Sequence, residues 1–223
     1  MNHRLCDLGA LSALPELRLL GLDQCRDVSL DGLRVLALET LYLYRLGGVD
    51  LRPLADLAGL RHLGLDLIPE QRSVAELPVG GDLTGFGLYQ KAVGLSLDGL
   101  ARWPNLSWLT VSGAEQASEL ARMPAPPPLT VLQLLGHPAL DLSGLVRHQG
   151  LKEIFLGACE LTGGVEPLRE LPEPACLNMA DCLPVVDIGP LAGLPGLRVV
   201  VSGSNRLTGT EGFPPERLVA HGS

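Results

Sequence analysis

Aromatic residues make up only 4% of this 223-residue chain, so its core has to be filled by aliphatic side chains. Lysine is nearly absent: Lys91 and Lys152 are the only two, and 17 basic against 25 acidic residues give a formal net charge of −8. Proteins that track phosphate backbones concentrate positive charge. With no Lys/Arg cluster either, the balance argues against a nucleic-acid partner. No apolar run approaches the roughly 20 residues a membrane helix needs. The opening MNHRLCD has neither the basic start and apolar stretch nor the cleavage site of a secretory signal. The expectation is a cytoplasmic protein without membrane contact. Five cysteines, an odd number, do not make a disulfide framework.

Catalytic and cofactor signatures are missing as well. There is no G-x-x-x-x-G-K-[ST] loop, no H-E-x-x-H and no C-x-x-C, so no nucleotide, metal or other cofactor is expected. GFG at 85–87 begins like a dinucleotide fingerprint, but Gln90 stands where the third glycine belongs. SGSNRLTG at 202–209 looks like a phosphate loop, yet Asn205 is already explained by the repeat described next. The histidines at 3, 62, 137, 148 and 221 are scattered and have no Ser and Asp partners in register, so the chain does not read as an enzyme.

Leucine, by contrast, returns on a regular beat. A unit L-x-x-L-x-L-x-x-(C/N) can be laid along the chain with its first paired position at Leu20, Leu41, Leu63, Phe86, Leu109, Leu132, Ile154, Leu177 and Val200. A period in the 20–29 range with this wording is the leucine-rich repeat, one short strand and one return segment per turn. The predicted fold is α/β: a leucine-rich-repeat solenoid, or horseshoe, with a concave parallel sheet of about nine short strands and short helical or irregular convex returns. Residues 1–223 read as a single domain, with regular repeats over 8–205 and a tail or cap over 206–223, where Phe213 and Leu218 are the covering candidates. Predicted strands are 18–22, 39–43, 61–65, 84–88, 107–111, 130–134, 152–156, 175–179 and 198–202.

The returns share a second phrase: VSLDGL at 28–33, VDLRPL at 49–54, LSLDGL at 95–100, LDLSGL at 140–145 and VDIGPL at 186–191. A small polar residue before Leu and Gly or Pro suits a capped short helical turn. The copies DLRPLADLAGL at 50–60 and DIGPLAGLPGL at 187–197 resemble the internalin-like type of repeat, and the resemblance spans 8–205. LARMP at 120–124, the Cys-ended repeats and an Arg-rich, Lys-poor composition like that of GC-rich bacteria also resemble the C-terminal sensor repeats of bacterial NACHT-type NTPases. That resemblance implies a recognition role beside an upstream NTPase that these residues do not contain.

Cys25, Cys159 and Cys182 fall at the last position of the unit and read as reduced interior residues, with a bridge between Cys159 and Cys182 as the alternative. His137 shares their column. Two repeats deviate. AELPVGGD at 75–82 loses the leucine spacing and Lys91 replaces the interior end residue, while PAPPP at 124–128 forces an extended return.

Side chains alternate along a strand, so the residues between and beside the paired leucines face out. All three tyrosines, Tyr42, Tyr44 and Tyr89, fall there with His62, Asp66, Trp108 and Phe155; Phe86, Trp103 and Phe213 do not. Tyrosine and tryptophan are favoured interface anchors. These seven residues are the predicted protein-binding site on the concave face, set against the alternative that aromatics merely cover sheet backbone. Val131, Leu135, Val199 and Val201 form a second, apolar outward group, and Cys176 is expected outward too. The expected function is recognition of a protein ligand; the alternative is a structural or regulatory scaffold that positions a partner enzyme. No capping motif precedes the first repeat, so an upstream domain or partner is expected to shield that end.

Overall fold

The computed structural model describes residues 8–25, 27–46, 48–66, 71–89, 94–112, 114–123, 126–203 and 206–221; Gln90, Lys91, Pro124 and Asn205, named above, lie outside the described residues. The chain divides into two compact units, Met1–Leu106 and Ser107–Ser223, and both are runs of leucine-rich-repeat turns.

In the first unit β1 (Leu19–Asp23), β2 (Thr40–Tyr44), β3 (His62–Asp66) and β4 (Gly85–Leu88) lie parallel in sequence order. Their register sets Leu20, Leu41, Leu63 and Phe86 abreast, and likewise Leu22, Leu43, Leu65 and Leu88. From Leu22 onward these side chains are buried. Each apolar side chain taken out of water contributes about 1.5–3 kcal/mol, so one inward pair per turn drives the stacking. Phe86 packs against Trp103 with ring centroids 4.9 Å apart.

The return phrase folds as its wording predicts. In each copy the small polar side chain accepts from the backbone N–H two residues on: Asp31 to Ser29, Arg52 to Asp50, Asp98 to Ser96, Ser143 to Asp141 and Gly189 to Asp187, at 2.8–3.2 Å. That bond occupies a donor which a helix start otherwise leaves orphaned. A single 3-10 turn follows, and its flanking leucines, such as Leu51 with Leu54 and Leu142 with Leu145, are buried.

The deviating stretch at 73–84 is tied down by its neighbour. The Arg102 guanidinium donates to the carbonyls of Ala75, Leu77 and Val79 at 2.8–3.2 Å, and the Trp103 indole N–H donates to Gly80 at 2.9 Å. Val74, Leu77 and Leu83 remain buried despite the altered spacing, and donors from the next repeat hold the backbone between them.

In the second unit β5 (Trp108–Val111), β6 (Val131–Leu135), β7 (Glu153–Gly157), β8 (Cys176–Ala180), β10 (Arg198–Ser202) and β12 (Leu218–His221) form the parallel order β5-β6-β7-β8-β10-β12. A small parallel pair, β9 (Val186–Asp187) with β11 (Leu207–Thr208), links two returns. The return after β5 is an α-helix, α1 (Ala114–Arg122), which the polyproline argument missed. Ala117 and Leu120, three residues apart, are buried in it. The helix stops at Arg122, before the proline run.

Two expectations need correction here. Val199 pairs with Leu177 and Val201 with Met179, so these two valines point inward and Val200 takes the outward place beside Asn178. All three valines are buried, and the register takes Val199 and Val201 out of the apolar outward group. The tail is also more than a cap, because β12 adds a further strand beside β10. Arg217 donates to the carbonyls of Ala192 and Leu197 and lies over the Phe213 ring, 5.3 Å from its centroid.

One backbone device recurs just after the strands. Gln24, Arg45, Gly136, Ala158, Asp181 and Gly203 all have φ between 50° and 71°. In this left-handed region the chain turns, and the following residue swings back inward. In the second unit that residue supplies a donor to the preceding repeat. His137 Nε2 lies 3.1 Å from the Val111 carbonyl, Cys159 Sγ 3.3 Å from that of Leu134, and Cys182 Sγ 3.3 Å from that of Leu156. Val111, Leu134 and Leu156 stand abreast in the sheet. The three side chains therefore repeat one hydrogen bond from turn to turn. Cys159 and Cys182 are free thiols, as the reduced-interior reading expects.

A carbonyl only accepts, so the proton of His137 sits on Nε2. The same holds for His148, whose Nε2 lies 3.3 Å from the Leu120 carbonyl. Burial lowers both pKa values, against the backbone hydrogen bond that raises them. Both rings are therefore neutral at pH 7.

Ala158→Gly relieves a left-handed Cβ penalty and should raise unfolding stability by about 1 kcal/mol. Ala121→Gly inside α1 should lower stability by about 1 kcal/mol, and urea unfolding of the two variants checks the contrast. For the histidines the sign is fixed: a depressed folded pKa gives stability that is full above the unfolded value of about 6.5 and falls as pH drops below it. The wild-type urea midpoint should fall between pH 7.5 and 5.5. His137→Asn keeps a donor for Val111 and should fall less.

Candidate functional site

The solvent side of the first unit's sheet carries the residues left over once the leucines have turned inward. Tyr42 stands abreast of Gly21 on one side and Gly64 on the other; Tyr44 stands abreast of Asp23 and Asp66. Gly64 in turn faces Gly87. Tyr89 follows β4, and its N–H donates to the Leu65 carbonyl at 2.8 Å, which carries the ladder one residue past the strand.

Two glycines decide how the tyrosines lie. A Cβ at Gly64 would come within 2.5 Å of the Tyr42 ring and 3.4 Å of the Tyr89 ring, and a Cβ at Gly87 within 2.9 Å of the Tyr89 ring. The rings of Tyr42 and Tyr89 therefore rest on bare backbone where any other residue would lift them. Tyr42 and Tyr44 stack at 5.6 Å with planes 9° apart, and Tyr89 meets Tyr44 edge-on at 5.5 Å and 74°. Offset and edge-to-face pairs at such separations are favourable. The result is one contiguous aromatic cluster of half-buried tyrosines.

Burial raises the Tyr44 pKa well above the phenol value, and Tyr89, Tyr42 and Asp66 raise it further. Tyr44 stays a neutral hydroxyl. Beside the cluster the Arg45 guanidinium binds both oxygens of the Asp23 carboxylate, through Nε at 2.8 Å and through Nη2. At the opposite ends of the strands Arg18 pairs with Glu39 at 3.6 Å and Arg61 with Asp82 at 3.3 Å. His62, on β3, faces Thr40 and Gly85.

Of the seven predicted site residues, then, Tyr42, Tyr44 and Tyr89 are in ring contact, and His62 and Asp66 share the strand between them. Trp108 and Phe155 belong to the second unit. Trp108 stands abreast of Val131 and Phe155 abreast of Gln133 and Asn178. Phe155 leans along its own strand over Gly157, where a Cβ would meet its ring at 2.9 Å. Thr110 and Gln133, joined at 2.9 Å, lie in the row between the neighbouring strands of this face. Cys176 is half-buried, and burial pushes its thiol pKa up, so it has no activated thiolate. Sequence reasoning placed the tyrosines but missed Gly64 and Gly87. The signal was there, since both glycines occupy outward columns next to tyrosines.

Among the described residues no three His, Cys, Asp or Glu side chains group as a metal site requires, and no helix is long and apolar enough to cross a membrane. No protein-family model and no curated protein matches the chain. Solved structures do. An internalin C2 (inlC2) from Listeria monocytogenes str. 4b F2365 is 19% identical, with 95% of this chain and 84% of that one covered at a TM-score of 0.50. An internalin (inlF) from the same strain is 16% identical, with 96% and 76% covered at a TM-score of 0.49. The first likeness shows the leucine-rich-repeat fold.

The glycine floor predicts a specific response. Gly64→Val should displace the Tyr42 ring without unfolding the repeat, because the new side chain projects from the solvent side. Near-UV circular dichroism should lose tyrosine intensity while the far-UV spectrum stays as in wild type. Gly21→Val meets no atom within 4 Å and should leave both spectra unchanged.

Proposed function

We propose that the chain is a protein-binding module that engages its ligand through the solvent face of the sheet, with Tyr42, Tyr44 and Tyr89 as the anchors and His62 and Asp66 beside them. The observation that carries this reading is where the aromatics lie. A chain with eight Phe, Trp and Tyr residues between them keeps three in one contact cluster off the core. Large rigid rings supply contact area at low entropic cost, the property that makes them interface anchors. On the second unit's own sheet, Trp108 and Phe155 are proposed as further contacts.

The finer reading, a sensor segment of a NACHT-type receptor, rests on the Cys-ended repeats and LARMP. In this fold Cys159 and Cys182 have a packing role and Leu120 is a buried helix residue, so recognition does not depend on that reading. Buried free thiols support a reducing, cytoplasmic setting. Leu14 and Leu19, 51% and 58% exposed beside β1, support a second contact there with an upstream domain or partner.

The test is capture from native lysate by wild type and by Tyr42→Ala/Tyr44→Ala/Tyr89→Ala, each first confirmed folded by far-UV circular dichroism. Partners retained by wild type should be lost by the triple variant, with an affinity drop of about 100-fold for a ligand anchored on these rings. Equal retention would move the contact to the returns, as the scaffold alternative requires.

A further inference from the structure

The tyrosine cluster has a charge preference as well as a shape. Within β1 to β4 the only formally charged side chains are Asp23 and Asp66, and neither Lys nor Arg occurs in these strands. The arginines just outside are compensated: Arg18 by Glu16 and Glu39, Arg45 by Asp23, Arg61 by Asp82. Burial is the main reason Tyr44 resists a negative charge, and the Asp66 carboxylate adds to it; that carboxylate, abreast of Tyr44, is what favours a cation here. The ring faces add to this, because the negative face of a π-system attracts ammonium and guanidinium groups.

We infer that the ligand group seated on this cluster is an arginine side chain of a protein partner. This rests on the protein-binding reading above and narrows it. A guanidinium is flat, so it can lie against one tyrosine ring while its N–H groups reach a phenol oxygen and the Asp66 carboxylate. Stacked and edge-on rings, with the Asp66 carboxylate abreast of Tyr44 on the next strand, offer those two kinds of contact together. A lysine ammonium is a compact, strongly hydrated charge that uses the ring faces but not the planar match. Beside Tyr42, the site of Gly21 is open: a Cβ built there meets nothing within 4 Å, which leaves a lane for the incoming chain. The charge of −8 on the whole chain steers a basic segment toward it over a longer range.

The probes are a capped pentapeptide GRGRG and its counterparts carrying lysine, citrulline or glutamate, titrated into the 15N-labelled full chain. The arginine peptide should shift the amides of Tyr42, Tyr44, Asp66 and Tyr89, with weaker binding by lysine. Citrulline keeps the shape without the charge and should fail, as should glutamate. Tyr44→Leu should weaken the arginine peptide about tenfold. Tyr44→Phe, which keeps the ring, should weaken it less, and Asp66→Asn should reduce both affinity and its salt dependence. Citrulline binding as well as arginine, or indifference to Asp66→Asn and Tyr44→Leu, overturns the assignment. A captured partner lost by the triple tyrosine variant but unmoved by Asp66→Asn and by salt would leave the binding reading standing and remove only the arginine. A partner kept by the triple variant would remove both.

Discussion

A row of inward-column carbonyls near the ends of β5, β6 and β7 has to find donors, and the way it finds them shapes the rest of the second unit. A buried carbonyl left unpaired costs about 1–3 kcal/mol. Val111, Leu134 and Leu156 are supplied by His137, Cys159 and Cys182, one repeat further on. The side chain reaches inward because the residue before it, Gly136, Ala158 or Asp181, is left-handed. Strand, turn and donor thus form one linked unit, and repeating it fixes the register of the sheet. Once the leucine pair and the donor are committed to the interior, alternation leaves the intervening positions to the solvent side. The solvent face of the sheet, with its tyrosines, is what the packing rule leaves over.

Irregular turns obey the same accounting of donors by other means. Where 73–84 departs from the leucine spacing, Arg102 and Trp103 reach across to its carbonyls. Where the return lengthens into α1, His148 donates to the Leu120 carbonyl near the helix end. Irregularity in this chain changes the donor and keeps the bond.

Periodicity made the inward columns legible, because Leu, Ile, Phe and Val at fixed spacing contrast with polar neighbours. The contrast fails in β10, whose RVVVS offers three equal valines; a step of 22 residues instead of 23 moves Val199 and Val201 inward, and only the pairing with β8 reveals it. Helix α1 was hidden by attention to the prolines that follow it. The outward tyrosines were readable by column, but their mutual contacts were not. Ring packing depends on tilt, and the tilt here is set by the missing Cβ atoms of Gly64 and Gly87. The tail strand β12 escaped because its LVAH lacks the paired leucines.

The aromatics of the first unit fall into two groups: Phe86 and Trp103 fill its core, while Tyr42, Tyr44 and Tyr89 lie on the solvent side of the sheet, where the ligand contact is proposed. Equilibrium urea unfolding of Tyr44→Ala beside Phe86→Ala tests that division directly. A tyrosine that loses only its ring contacts should cost no more than about 1.5 kcal/mol, against about 3–5 kcal/mol for the core phenylalanine. A loss of core size at Tyr44 would contradict the account, since the cluster would then be packing that holds the repeat together and not a surface kept for recognition.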